Sequence, residues 1–252
     1  MEKILLYFSL KYNGNWDKIY NALEKKEKIL HSQLEETCQK IDCDFLTILS
    51  PLYPNFLKSA HKPPFVIFYK GNIELLSKYN KTISIVGGQK YSEKSINNTY
   101  RIVKELINEK RVIVTYQKEG TNNQIISLCR EENFENIVIL AESMKTYIEK
   151  TKNINEKENK LFICEVYEFL NNQLTEEYEE YLNRMLCGIS KGILFTPYNS
   201  KDSYFSLVNY AINEGKEIFA IPTTEKEFNE TNKLIKMGAK FTENAKDIVN
   251  LI

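Results

Sequence analysis

The sequence predicts an α/β chain: a Rossmann-like, doubly wound, mostly parallel sheet preceded by a small N-terminal helical module. Three observations predict it. From Phe45 onward, short β-branched and apolar runs alternate with longer segments whose apolar residues recur at helical spacing. One such run, Thr82–Val86 within KTISIVGGQKYS, passes straight into Gly87-Gly88 and then into a helix opening near Ser92. Residues 1–44, by contrast, carry apolar positions at helical spacing only. Strands separated by helices of about ten or more residues pair in parallel through right-handed crossovers, and that defines the doubly wound class.

The 252 residues suffice for one large or two modest domains, and a 42% hydrophobic content supplies a core. Two units are expected, the helical module over 1–44 and the α/β domain over 45–252. Lys plus Arg and Asp plus Glu both number 34, so no whole-chain field draws the protein to nucleic acid or membrane, and any basic site must be local. Cys38, Cys43, Cys129, Cys164 and Cys187 are odd in number and lack C-x-x-C spacing, which points to reduced thiols in a cytoplasm rather than disulfides or zinc. The apolar run Ile4–Leu10 is short and lacks a small-residue cleavage site, so it is not a signal peptide. No stretch approaches the roughly 20 apolar residues of a membrane span.

In order, three helical segments come first. They are marked by Ile4, Leu5 and Phe8, by Trp16, Ile19, Tyr20 and Leu23, and by Leu30, Leu34, Cys38 and Ile41, with Asn13-Gly14-Asn15 breaking the first from the second. Trp16 on an apolar helix face reads as core before it reads as a base-stacking residue. Phe45–Leu49 is a strand. The prolines at 51, 54, 63 and 64 hold extended backbone up to a second strand, Phe65–Tyr69, closed by Gly71. After Thr82–Val86 come strand Arg111–Thr115, helix Thr121–Glu132 and strand Asn136–Leu140. The charge-rich stretch Lys145–Lys160 is expected as a solvent-exposed connection. Strand Leu161–Cys164, helix Thr175–Cys187, strand Gly192–Thr196, helix Asp202–Glu214 and strand Glu217–Ile221 complete the alternation.

The strand, glycine turn and helix around Gly87 admit two uses. One is a tight turn in a parallel sheet. The other is an anion site, because a helix start leaves N–H groups unpaired and glycines let a phosphate approach the backbone. Neither G-x-G-x-x-G nor G-x-x-x-x-G-K-[ST] is present. Two isolated histidines, His31 and His61, and scattered acids assemble no Ser-His-Asp, Cys-His or metal constellation, so no catalytic residue, metal or cofactor is expected.

Several motifs in fixed order resemble the DNA-processing protein A (DprA, or Smf) family over about residues 45–252. They are Tyr53-Pro54 with Leu57, Pro63-Pro64 through Gly71 to Leu75-Leu76, the strand ending Ile85-Val86-Gly87-Gly88, Asn183-Arg184 through Gly188-Ile189-Ser190, Gly215 through Pro222, and Asn232 with Leu234-Ile235, Gly238-Ala239 and Asp247-Ile248. The resemblance implies a cytoplasmic, typically homodimeric protein that binds single-stranded DNA, protects it and assists loading of a RecA-type recombinase. It places the DNA site at the carboxyl ends of the strands, on Gly87, Gly88, Gln89, Lys90, Lys118, Gly120, Thr121, Asn183, Arg184, Lys201 and Ser203, with Tyr91 or Tyr116 as stacking faces. It also implies an apolar contact patch near Ile235 or Met237, residues equally suited to the core.

The chain departs from that family pattern. Gln89 and Glu119 stand where the resemblance puts arginines, and Glu176, Glu177, Glu179 and Glu180 precede Asn183 where the family is basic or proline-rich. Each lost phosphate contact weakens the salt-dependent part of affinity. Arg184 either contacts nucleic acid or pairs with Glu180 one turn earlier, and Asp202 is a simple N-cap. Two other functions compete. A degenerate scaffold would keep only contacts with itself or a recombinase. A nucleotide phosphoribohydrolase would need a P-G-G-x-G-T-x-x-E loop, and none exists here.

Overall fold

The computed structural model describes residues 1–151, 159–169, 176–202 and 204–252. Among the described residues, nine strands form one sheet in the order β1-β2-β6-β5-β4-β3-β7-β8-β9. They are β1 (Asp44–Thr47), β2 (Val66–Gly71), β3 (Thr82–Val86), β4 (Val112–Tyr116), β5 (Asn136–Ile139), β6 (Lys160–Cys164), β7 (Gly192–Phe195), β8 (Glu217–Ala220) and β9 (Lys240–Phe241). From β6 to β9 all pairings are parallel, while β2 runs antiparallel to both β1 and β6.

The helices are α1 (Glu2–Tyr12), α2 (Trp16–Glu24), α3 (His31–Thr37), α4 (Asn55–Lys58), α5 (Glu93–Asn108), α6 (Thr121–Glu131), α7 (Met144–Thr151), α8 (Glu176–Gly188), α9 (Phe205–Asn213), α10 (Glu230–Lys236) and α11 (Lys246–Val249). They cover both faces of the sheet. Along β3, Val86 joins a cluster with α8 and α9 residues such as Leu182, Leu186 and Leu207, whereas Ile83 and Ile85 join Ile102, Leu106 and Ile125 of α5 and α6 on the other face. Period-two alternation in a strand covered on both sides buries all five of its residues, four of them β-branched and the fifth, Ser84, hydrogen-bonded to Ser190. Each fully buried Ile or Val stabilises by about 1.5–3 kcal/mol.

The first three helices form where the spacing predicts them. Leu5 and Leu6 of α1 pack on Val66, Phe68, Val138 and Phe162, so the helical segment lies on the β2–β6–β5 part of the sheet. Trp16 is structural: its Nε1–H donates to the Pro63 carbonyl at 3.0 Å and its ring stacks on Tyr20 and Phe65. All five cysteines are free thiols.

Two expectations need correction. The stretch from Lys145 is not wholly an exposed connection, because α7 forms there and buries Met144 and Tyr147 against β5 and β6. Residues 152–158 of the same stretch lie outside the described residues. The helix expected from Asp202 begins at Phe205 with Tyr204 as N-cap, so Asp202 is no helix cap. Among the described residues no helix is long and apolar enough to cross a membrane.

Candidate functional site

Strand order reverses at β3, which pairs with β4 on one side and β7 on the other. Three loops therefore leave the carboxyl ends side by side, those after β3, β4 and β7, and such a reversal opens a crevice. The crevice has a volume of about 1110 Å³ and is lined by residues of all three loops, with Asn183 and Glu179 of α8 and Leu207 of α9.

The turns after β3 and β4 need their glycines. A Cβ on Gly87 would lie 2.0 Å from Thr196 Oγ1, and Gly120, at φ +82°, would carry a Cβ 2.3 Å from the Gln89 carbonyl oxygen. Thr121 opens α6 beneath this turn, with its N–H on the Gly88 carbonyl at 3.0 Å. Two of the backbone donors that would cradle an anion are already engaged. Gly87 N–H donates to Asn122 Oδ1 at 3.1 Å, and Gln89 N–H donates to Asp202 Oδ1 at 3.0 Å. The Asp202 carboxylate thus occupies a donor that the anion reading of the turn gave to a phosphate.

Of the expected cations Lys118 is held in the same way, as is Lys150, which the sequence did not single out. Lys118 Nζ donates to both Glu179 carboxylate oxygens at 2.9 and 2.7 Å, and Lys150 Nζ reaches Glu142 at 2.5 Å. Gln89 and Glu119, the two departures from the family arginines, meet each other: Gln89 Nε2 donates to Glu119 Oε2 at 3.0 Å. Among the described residues, five carboxylates line the crevice (Glu119, Glu142, Glu179, Glu180, Asp202) against two lysines (Lys118, Lys150), and five minus two leaves a net of three negative charges in that lining. A phosphate ~6 Å from one uncompensated carboxylate is repelled by about 3 kcal/mol at an effective dielectric of ~20. Lys90 and Lys201 are exposed and form no ion pair among the described residues, but they do not line the crevice itself.

Asn183 and Arg184, adjacent in sequence, do different things. Asn183 faces the crevice while its Oδ1 accepts from the buried Tyr116 hydroxyl at 2.7 Å. Arg184 is 5% exposed, and its Nη2 donates to Glu165 Oε1 and Oε2 at 2.6 and 2.5 Å. Both expectations for Arg184 are corrected: it neither faces the crevice nor pairs with Glu180. Burial pulls its pKa down, and the charge and hydrogen bonds of Glu165 more than offset that, holding it above the ordinary arginine value. Tyr116 is fully buried and offers no stacking face, whereas Tyr91 is 37% exposed. Ser203 lies outside the described residues.

Three further contributors were not singled out from sequence: Asn122, which clamps both the N–H and the carbonyl of Gly87, the Tyr204 hydroxyl, which donates to that carbonyl at 2.5 Å, and Glu165. A polar residue in the first turn of a helix, two residues after a glycine, was the available sign for Asn122. Nothing local marks Glu165.

Residues 44–252 match the family described as DNA recombination-mediator protein A. The chain belongs to that family. Its relatives include the DNA processing protein DprA of Bacillus subtilis (strain 168), 27% identical over 213 residues that cover 81% of this chain and 69% of that protein. DprA of Streptococcus pneumoniae (strain ATCC BAA-255 / R6) is 23% identical over 241 residues, covering 90% and 80%. The X-ray structure of DprA from Streptococcus pneumoniae superposes with a TM-score of 0.73 at 20% identity, covering 99% of this chain and 93% of that one. DNA processing protein A from Helicobacter pylori, whose structure was described for its single-stranded DNA binding mode, superposes with a TM-score of 0.68 at 19% identity over 83% and 95%. These likenesses establish the α/β fold with its N-terminal helices, and the family membership places the chain in DNA processing and recombination.

Proposed function

We propose that this member of the DNA recombination-mediator protein A family binds single-stranded DNA weakly, shields it, and assists a RecA-type recombinase as a cytoplasmic homodimer. The observation that carries this reading is the family match over residues 44–252, with a relative described by its single-stranded DNA binding. Lys90 and Lys201, exposed on the loops after β3 and β7, supply cations at the rim. The charge inside the crevice sets the affinity low, because each phosphate entering it meets carboxylates before cations. No catalytic role is assigned to any residue.

The apolar patch for self-association is Met237, 73% exposed, with Phe241 of the edge strand β9, 51% exposed; Ile235 is partly buried against the core and contributes less. Light scattering that finds only monomer removes the homodimer.

A second function is favoured by one observation. With Gly87 and Gln89 N–H groups held by Asn122 and Asp202, and Arg184 held by Glu165, the crevice suits a scaffold that has given up DNA and keeps only protein contacts. Fluorescence anisotropy of a labelled oligothymidine strand at low salt separates the two. Binding in the micromolar range, with protection of the strand from an exonuclease, supports the DNA role; no binding at micromolar protein leaves the scaffold.

A further inference from the structure

The amino ends of the parallel strands, opposite the crevice, gather a cluster of a different kind. Tyr79, in the 3-10 segment Ile73–Lys81 that leads into β3, stacks on Phe56 of α4 with ring centroids 3.8 Å apart and planes inclined by 12°. Lys216, immediately before β8, donates from Nζ to the Tyr79 hydroxyl at 2.9 Å and lies 5.2 Å from the Tyr79 ring centroid and 5.5 Å from that of Phe56. Lys191, immediately before β7, lies 5.9 Å from the Tyr79 ring.

Neither ammonium forms an ion pair among the described residues. Glu214, the nearby acid, accepts instead from the His61 backbone N–H at 3.2 Å. Burial lowers the Lys216 pKa below the ordinary lysine value despite the opposing influence of Cys187 and Glu214, as befits a half-buried cation short of a counter-ion. Phe56 is 47% exposed, so its ring is stacked by Tyr79 yet keeps much of its surface in water.

We propose that Phe56, Tyr79, Lys191 and Lys216 form a nucleotide-binding platform, with a base stacked on Phe56 and its phosphate taken by the two lysines. An exposed aromatic ring accepts any base through its π-face, and cations without carboxylate partners attract the phosphate beside it. The platform rests on the reading that the chain binds single-stranded DNA, and it puts a contact at the end of the sheet remote from the crevice acids. The same chemistry serves a free nucleotide or one unit of a strand.

The test uses the full chain and a fluorescent oligothymidine strand, with unlabelled dTMP as competitor. Phe56→Ala weakens strand binding about tenfold. The double variant Lys191→Gln/Lys216→Gln lowers the slope of log affinity against log salt by about 1.4, two phosphate contacts on a single strand. Lys90→Gln/Lys201→Gln at the crevice rim changes affinity less than the platform variants do. Displacement of the strand by dTMP assigns the platform to a free nucleotide, and its failure assigns it to the strand. Because a platform variant can fold poorly, a strand carrying 5-iodouracil is photocrosslinked to the unaltered protein, and the platform is supported when the crosslink maps to Phe56 or Tyr79. If the rim pair abolishes binding while the platform variants bind normally and no crosslink reaches these rings, the platform is overturned and the DNA role stands. If the unaltered protein binds neither strand nor dTMP, both fall.

Discussion

The two ends of the parallel sheet differ in how charge is spent. At the carboxyl end, glycine turns and a strand-order reversal build a crevice with the geometry of an anion site, yet side chains of the same chain fill two of its donors and neutralise its two lining lysines. At the amino end no glycine motif advertises anything, yet Lys191 and Lys216 stand beside a stacked aromatic pair with no ion pair to a carboxylate among the described residues. The difference teaches that backbone geometry marks where a ligand fits, while the occupancy of donors and cations decides which ligand is admitted.

The comparison breaks most readily at the buried ion pair behind the crevice. Replacing Arg184 by Ala removes the buried ion pair with Glu165 and costs about 3–5 kcal/mol of stability, read from urea unfolding. Combining Arg184→Met with Glu165→Leu recovers most of that loss. Were Arg184 instead a DNA contact, Arg184→Ala would leave the unfolding midpoint in place and weaken strand binding.

The next effect belongs to the turn. Gly87→Ala forces a Cβ to within 2.0 Å of Thr196 Oγ1, and overpacking of this sort costs about 1–3 kcal/mol. Thermal unfolding measures it, and an unshifted midpoint would mean the turn has room that the geometry denies.

Charge at the crevice mouth ranks third. Glu119→Arg removes a repulsive carboxylate and adds a cation where the family resemblance expects one, and it should tighten oligothymidine binding about tenfold at low salt. An unchanged affinity would mean that the strand does not pass the carboxyl end, which sharpens the case for the platform at the other. The smallest effect is Lys118→Ala, which breaks the pair with Glu179. The lysine is 27% exposed and the glutamate 48%, so the stability loss is about 0.2–1 kcal/mol, visible only in a double-mutant cycle with Glu179→Ala.

Much of this fold was legible in the chain. Thr82–Val86 was bounded to the residue because β-branched composition ended at two glycines, and Ser92 does cap α5, its hydroxyl accepting from Ser95 N–H at 3.0 Å. The candidate site was legible only as a set of loops. Gln89 and Glu119 were recognisable as departures from the family arginines, but that they hydrogen-bond each other across 30 residues was not. The same holds for Asp202 on the Gln89 N–H across 113 residues and for Glu165 on Arg184 across 19. The start of α7 was missed because its exposed face carries Lys145, Glu149 and Lys150, which outvoted two buried residues, Met144 and Tyr147.

By itself the sequence determined the alternation of strands and helices, the glycine turn at the strand reversal, and membership in a DNA-recombination family, since periodicity, backbone freedom and motif order are properties of neighbours along the chain. Tertiary structure alone decided which charges remain free. Ion pairs and hydrogen bonds act over a few ångströms through space, and no local pattern records that β6 brings Glu165 to Arg184 or that the strand ends bring Lys191 and Lys216 to one tyrosine.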